Sequence, residues 1–159
     1  MNKTQKISEY GYSFQVKFIV CLMKDKLFLE QIVDILDGKY TSNDAFSWII
    51  NEIKDYYNQY KDIISMNVFK IKIQEIDSDL LIVNIKDVLK EVFKNMESPD
   101  LDYVKDKALD FHKSQVLKDA IVKSAEILER DGDSDEIKSL IDIAMQAGVE
   151  RNLGHDYLQ

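Results

Sequence analysis

Residues 101–130 read LDYVKDKALDFHKSQVLKDAIVKSAEILER, and they form the longest uninterrupted helical pattern in the chain. The pattern ends at Asp131-Gly132-Asp133, where turn-forming residues interrupt it. Residues 134–147, SDEIKSLIDIAMQA, then predict a second, shorter helix. A long helix, a tight turn and a returning helix together predict a helical hairpin, which we assign to residues 98–150.

The apolar residues of the long helix do not stay on one face. The first stripe consists of Leu101, Val104, Ala108 and Phe111. At about 100° per residue, the next stripe is rotated by roughly a third of a turn. That second stripe consists of Leu117, Ile121, Ala125 and Leu128. We therefore expect the first half of the helix to pack on the preceding part of the chain, and the second half to face the returning helix.

The returning helix also has an apolar face. A two-helix hairpin buries little apolar surface by itself, and the simplest source of two further helices is a second copy of the same chain. We therefore predict that the hairpin self-associates. The predicted contact residues are Leu117, Ile121, Leu128, Ile137, Leu140, Ile141, Ala144 and Met145.

The rest of the chain predicts an all-α head of about five helices over residues 13–97, preceded by a flexible leader, residues 1–12. Five Gly and one Pro in 159 residues are too few for a sheet joined by tight turns. The first helix, residues 14–24, is apolar nearly all round. A helix of that kind belongs in the middle of a core.

Two helix ends in the head have clear local signals. The second helix, residues 26–36, is expected to stop at Gly38, because a Gly after a helix readily adopts the left-handed conformation. Asn43 or Ser42 is expected to cap the third helix, which continues to about residue 60.

The middle of the head is ambiguous between strands and helices. Phe69, Ile71 and Ile73 alternate as in a strand, and residues 80–83 are a short apolar run of strand length. Phe69 and Ile73 also fit a helix. We favour two helices, because the second apolar pattern continues to Lys94 and is too long for a typical strand.

The charge balance argues against direct binding of nucleic acid. The chain has 21 basic and 29 acidic residues, so its net charge is −8, and Arg130 and Arg151 are its only arginines. Because counterion release from phosphates requires a basic surface, contacts with DNA are expected to be weak or indirect. No apolar run is long enough to cross a bilayer. The single Cys21 fits a reducing, cytoplasmic setting.

The sequence contains no catalytic, cofactor-binding or metal-binding motif. The Gly38-Lys39 pair lacks both the upstream Gly and the following Ser or Thr of a phosphate-binding loop. His112 is interpreted as a surface or interface imidazole, since with His155 and Cys21 it makes no metal-ligand pattern. The carboxylates of residues 131–135 lack the spacing of a calcium loop and are interpreted as helix-capping groups. We expect no enzymatic activity from this chain.

The tail, Arg151-Asn-Leu-Gly-His-Asp-Tyr157, follows a helix that ends in Ala-Met-Gln-Ala-Gly-Val. Earlier pieces agree with it in order: QVKFIVCLM (15–23), AFSWII (45–50), IKDYY (53–57) and YVKD (103–106) through Phe111. Together they resemble the N-terminal domain of DnaB-type replicative DNA helicases, most closely those of tailed phages. The resemblance covers nearly the whole chain from about Ser13, and its specificity lies in the Gly-His-Asp-Tyr tail and the order of the pieces.

This resemblance implies a small helical head followed by a hairpin that pairs between subunits, with dimers arranged as a trimer of dimers in the hexamer. It also implies that primase and a helicase loader dock on this collar, in the host cytoplasm if the protein is phage-encoded. ATP and Mg²⁺ are expected only for an ATPase domain beginning beyond Gln159. Residues 151–159 would start the linker to that domain. The predicted linker residues are Leu153, Gly154, His155, Asp156 and Tyr157.

The chain is thus expected to be a domain fragment without helicase or ATPase activity by itself. The alternative is a freestanding adaptor that binds a helicase, such as a primase's helicase-binding domain, a loader or an inhibitor. The coding sequence after Gln159 distinguishes the two. Continuation into Gly-x-x-x-x-Gly-Lys-Ser/Thr supports the helicase, and a stop codon supports the adaptor.

Overall fold

The computed structural model describes residues 6–146, and within that range the protein is all-α, as the sequence predicted. No strand occurs among these residues. Five helices form the head, two form the hairpin, and two short 3-10 segments, Ile7–Tyr10 and Gly38–Tyr40, belong to the head. The helices are α1 (Tyr12–Lys24), α2 (Lys26–Ile32), α3 (Asp44–Tyr60), α4 (Met66–Ile73), α5 (Asp79–Lys94), α6 (Leu101–Glu129) and α7 (Ser134–Gln146).

Helix α1 lies in the centre of the head, because it is apolar on nearly all sides. Phe18, Ile19 and Leu22 are completely buried. Helices α2, α3, α5 and α6 all contact α1, so different neighbours cover different parts of its surface. This confirms the prediction that the first helix belongs in the middle of the core.

Helix α3 is amphipathic, and it packs extensively against α5. Phe46 and Ile53 on its inner face are completely buried. The side chain of Asn43 caps the helix by accepting hydrogen bonds from the amides of Ala45, at 2.9 Å, and Phe46, at 3.1 Å. Both the cap and the extent of the helix agree with the sequence-based prediction.

The ambiguous middle of the head is helical, as favoured from the sequence. The side chains of Ser65 and Ser78 cap α4 and α5, each accepting a hydrogen bond from the amide three residues later. Phe69 and Ile73 are buried whereas Ile71 faces solvent. This is the i, i+4 spacing of a helix, and it explains how α4 also produces the alternating pattern of a strand.

The segment before α1 belongs to the folded head from residue 6 onward. Ile7 is buried in the core, and the ring of Tyr10 packs edge-on against Phe14 and Phe111. Gly11, with a φ of 95°, then directs the chain into α1. The prediction of a flexible leader over residues 1–12 is therefore wrong for residues 6–12, because apolar side chains hold them in place. Residues 1–5 lie outside the described range.

The end of the second helix also differs from the prediction. Helix α2 stops at Ile32, and Gly38 lies in a 3-10 turn without a positive φ. A Cβ atom at Gly38 would lie 2.6 Å from Nδ2 of Asn51 and 2.7 Å from the carbonyl oxygen of Ser47. The Gly38 amide also donates a hydrogen bond to Oδ1 of Asn51 at 3.0 Å. Gly38 is therefore required by the close approach of this turn to α3, and the left-handed helix stop was a wrong prediction.

The Asn43 cap can be tested by removing its side chain. We expect Asn43→Ala to lower the free energy of unfolding by about 1 kcal/mol, because two amides in the first turn of α3 lose their acceptor. Urea denaturation followed by circular dichroism measures this loss. Asn58→Ala removes the same side chain from an exposed position of the same helix, and should change stability by less than about 0.5 kcal/mol. Equal losses in both variants would contradict a capping role.

Candidate functional site: the helical hairpin

The turn between α6 and α7 is built by a standard helix stop. Asp131 is left-handed, with a φ of 53°, and its amide donates to the carbonyl of Leu128 at 3.2 Å. The amide of Gly132 donates to the carbonyl of Ile127 at 2.7 Å. This pair of bonds is the Schellman motif, which satisfies the last carbonyls of a helix. The side chain of Asp133 then accepts a hydrogen bond from the amide of Asp135, at 2.9 Å, as α7 begins.

We call the surface where α6 and α7 meet the inner face of the hairpin. On α6 it lies one residue away from the predicted stripe. Ala120, Ser124 and Ile127 are the buried residues of the distal half of α6, and Ala144 is the buried residue of α7. Ser124 can occupy this face because its hydroxyl donates to the carbonyl of Ala120 at 2.7 Å. The prediction that the stripe containing Ile121 faces α7 is therefore wrong. The correct face was visible as an i, i+4, i+7 spacing, but a polar Ser concealed it.

The eight predicted self-association residues fall into three groups. Ile121, Leu128 and Met145 are 54%, 64% and 61% exposed. Leu117, Ile137, Leu140 and Ile141 are half-buried. Ala144 is buried between α6 and α7, so a second copy cannot reach it. Two of the eight are therefore corrected: Ala144 is an internal packing residue, and Leu140 lines a cavity against the head. The other six present apolar surface to solvent.

Most of the predicted self-association residues lie on the side of the hairpin that faces away from the head. Asp119 of α6 and Ile143 of α7 both line a cavity between the hairpin and the head. These two positions therefore mark the side of each helix that is turned towards the head. Ile121 and Met145 each come two residues later, about 200° around their helices, and therefore point away from that cavity. The same i, i+4 rows extend this surface along both helices. We define the outer apolar face by Leu117, Ile121, Leu128, Ile137, Ile141 and Met145.

A polar contact joins the hairpin to the head at the point where α6 leaves the head. The hydroxyl of Tyr40 donates to Oδ2 of Asp119 at 2.8 Å, and Nζ of Lys39 lies 3.2 Å from the same oxygen. Burial, together with the Asp119 carboxylate, raises the pKa of Tyr40, so its hydroxyl remains a donor. Sequence reasoning did not single out this pair. Its members are 79 positions apart, and no local pattern connects them.

His112 lies in the core of the head, not on a surface. Its ring contacts the rings of Phe18, Tyr40 and Phe111, and its Nδ1 is 2.7 Å from the carbonyl oxygen of Ala108. Burial lowers the pKa of His112 to about 4, so the ring is neutral at pH 7 and Nδ1 carries the proton donated to that carbonyl. The interpretation of His112 as a surface or interface imidazole was wrong, because the residues that enclose it are distant in sequence.

The lowered pKa of His112 makes stability depend on pH. The unfolded chain takes up a proton near the ordinary value of 6.5, whereas the folded protein does so near pH 4. The contribution is therefore complete above pH 6.5 and is lost as the pH falls towards 4, by about 3 kcal/mol in total. Urea denaturation across this window measures the loss.

His112→Phe is the matched variant for this measurement, since it keeps an aromatic ring but removes the titrating group. Carboxylates that become protonated over the same range affect both proteins alike. The variant should therefore lose less stability than the wild type between pH 6.5 and 4. Identical losses would mean that His112 titrates equally in the folded and unfolded states.

A second surface cavity, of about 390 Å³, lies between α1, α2 and the start of α6. Nζ of Lys105 bridges Asp25, at 2.9 Å, and Asp102, at 3.2 Å, at its edge. Cys21 contributes to the lining, and burial raises the pKa of its thiol to about 12. The thiol is therefore protonated at neutral pH and is not an activated nucleophile.

The described part of the chain, residues 6–146, has no cluster of three or more His, Cys, Asp or Glu residues that could hold a metal ion. None of the helices in that range combines the length and apolar character that a membrane span requires.

Comparison of the chain with protein-family models, curated proteins and solved structures finds no match. The predicted linker residues Leu153, Gly154, His155, Asp156 and Tyr157 lie outside the described residues, as do residues 147–150 of the predicted hairpin.

Proposed function

We propose that this chain is the N-terminal collar domain of a DnaB-type replicative DNA helicase. It pairs with a second copy through the outer apolar face and presents its head to primase or a helicase loader. It performs no catalysis by itself, and ATP and Mg²⁺ serve only an ATPase domain. Two observations support the proposal: the order of the sequence pieces that resemble this family, and a five-helix head followed by a hairpin.

The observation that supports self-association most directly is the outer apolar face. Large apolar side chains occupy matching rows on both helices, and each is exposed or only half-buried in the single chain. An apolar surface of this kind, bordered by charged residues, is typical of an interface. A second hairpin covering it would complete a four-helix bundle, in which i, i+3 and i+4 rows of two helix pairs form one core.

The charges along the hairpin favour an antiparallel arrangement of the two copies. The part of α6 next to the head has Lys113, Lys118 and Lys123 against the single carboxylate of Asp119. The tip has six carboxylates against Arg130. These carboxylates belong to Glu126, Glu129, Asp131, Asp133, Asp135 and Glu136. A parallel pair would bring two acidic tips together, whereas an antiparallel pair places each tip beside the basic region of its partner.

Ile121 and Val122 provide a matched pair of variants to test self-association. They are neighbours on α6 and are 54% and 55% exposed, but only Ile121 lies on the outer apolar face. We expect Ile121→Asp to raise the dimer dissociation constant by roughly a hundredfold or more, because each copy buries an unpaired carboxylate. Val122→Asp should leave the constant within about threefold of the wild type. Sedimentation equilibrium measures both, and a wild type that stays monomeric at high concentration contradicts the proposal.

Cross-linking can determine the orientation of the two copies. In a protein with Cys21 replaced by Ala, we place a single cysteine either near the head, by Leu117→Cys, or near the tip, by Leu128→Cys. An antiparallel pair brings the two positions together only when the two variants are mixed. We therefore expect disulfide-linked dimers in the mixture and few in either variant alone. Efficient cross-linking of each variant with itself would indicate a parallel pair.

The helicase assignment has a separate test in the coding sequence after Gln159. A Gly-x-x-x-x-Gly-Lys-Ser/Thr motif downstream supports the collar domain, and a stop codon there supports a freestanding helicase-binding adaptor. The net charge of −8 fits a role in which DNA is contacted weakly or indirectly and proteins are the main partners.

A further inference from the structure

Helix α6 changes its surroundings as it leaves the head. Val104, Ala108 and Phe111 are buried in the core of the head, whereas Ala120 and Ser124 face α7. The helix continues without interruption between these two environments. We call residues 112–119 the junction segment, because any change in the angle between hairpin and head involves this part of the chain.

The junction segment buries polar atoms that have no hydrogen-bond partner within residues 6–146. Gln115 is 1% exposed, and neither its amide nitrogen nor its amide oxygen has a hydrogen-bond partner among the described residues. The same holds for Nε2 of His112, one turn earlier. A buried polar group without a partner opposes burial, because it has given up its hydrogen bonds to water. The packing of the junction segment is therefore less stable at these two residues than it would be if the polar atoms were paired.

A cavity of about 260 Å³ lies beside the junction segment, between the head and α7. Ile35 and Leu36 line it from the head, and Leu140 and Ile143 line it from α7. Ile143 remains 66% exposed, so the apolar surfaces of α7 and the head are incompletely packed against each other. The hairpin therefore has room to move relative to the head on this side.

The Tyr40–Asp119 contact opposes such movement. The ring of Tyr40 is buried against Phe111 and His112, so its hydroxyl is held in a fixed position. It donates to the Asp119 carboxylate at 2.8 Å, and Lys39 adds an ion pair to the same oxygen. Hydrogen bonds to a charged acceptor are about twice as strong as neutral ones. This contact ties the hairpin to the head beside the weakly packed junction.

We propose that the Tyr40–Asp119 hydrogen bond is a latch that holds the hairpin at one angle to the head. When it is released, the hairpin swings about the junction segment, and Gln115 gains access to water. The latch depends only on contacts within one chain, so it operates whether or not the hairpins pair. Its failure and the failure of the proposed collar function are therefore separate results.

The test measures the distance between the head and the hairpin tip. Spin labels are placed at two exposed positions, by Asn58→Cys and Glu129→Cys, in a protein with Cys21 replaced by Ala. The labelled protein is mixed with excess unlabelled protein, so that only distances within one copy contribute. We expect one narrow distance distribution for the wild type, corresponding to the latched hairpin.

Asp119→Ala should add a second, distinct distance population, increased by at least about tenfold over the wild type. Asp110→Ala, which removes the same charge from an exposed position of the same helix, should leave the distribution narrow. Tyr40→Phe keeps the packed ring and loses only the hydroxyl, and it should reproduce the effect of Asp119→Ala. A distribution unchanged in both latch variants overturns the proposal. If Asp119→Ala loses its helical circular dichroism, Tyr40→Phe alone decides.

Gln115→Leu tests the unpaired polar atoms independently. Leu has a similar volume but no polar atoms, so we expect the variant to have a higher midpoint of thermal unfolding than the wild type. Combined with Asp119→Ala, it should return most of the second population to the latched distance. A lower midpoint in Gln115→Leu would show that the amide is satisfied in the closed state, and would overturn the role given to the junction segment.

Discussion

The burial of the first half of α6 against α1 is the contact on which the arrangement of the protein depends. Val104 and Ala108 are buried there, and ion pairs between Lys17 and Asp100 and between Lys105 and Asp25, both at 2.9 Å, lie at the edges of the contact. A helix of 29 residues is about 44 Å long and stiff on that scale. While the Tyr40–Asp119 contact holds the junction segment, packing at one end therefore determines the direction of the hairpin at the other.

The hairpin divides its apolar residues unequally between its two faces. Three of the four buried residues of the inner face, Ala120, Ser124 and Ala144, are small and allow α6 and α7 to approach closely, and Ile127 is the fourth. Larger residues such as Leu128 and Met145 remain outside, where the single chain leaves them in water. Two helices joined in this way bury less apolar surface than their composition offers. The remaining surface is the physical reason for proposing that a second hairpin covers it.

The junction segment, where α6 leaves the head, differs in composition from the core of the head. The core around Phe18 is apolar and completely buried, whereas Nε2 of His112 and the amide of Gln115 are buried with no hydrogen-bond partner in residues 6–146. The Tyr40–Asp119 hydrogen bond and the adjacent cavity complete this region. The unpaired polar atoms of His112 and Gln115 make the packing of this region less favourable than the apolar packing of the head core. Movement between head and hairpin is therefore expected to be concentrated here.

Local signals in the sequence determined the helical class, the N-terminal cap of α3 and the hairpin turn, because each depends on residues within a few positions of one another. Asn43 and Asp131-Gly132 are examples. The face of α6 that meets α7 was predicted one residue away from its true position, an error of about 100°. Tertiary structure alone decided that His112 is enclosed and that Tyr40 meets Asp119. These outcomes depend on contacts between segments far apart in the chain, and no local spacing encodes them.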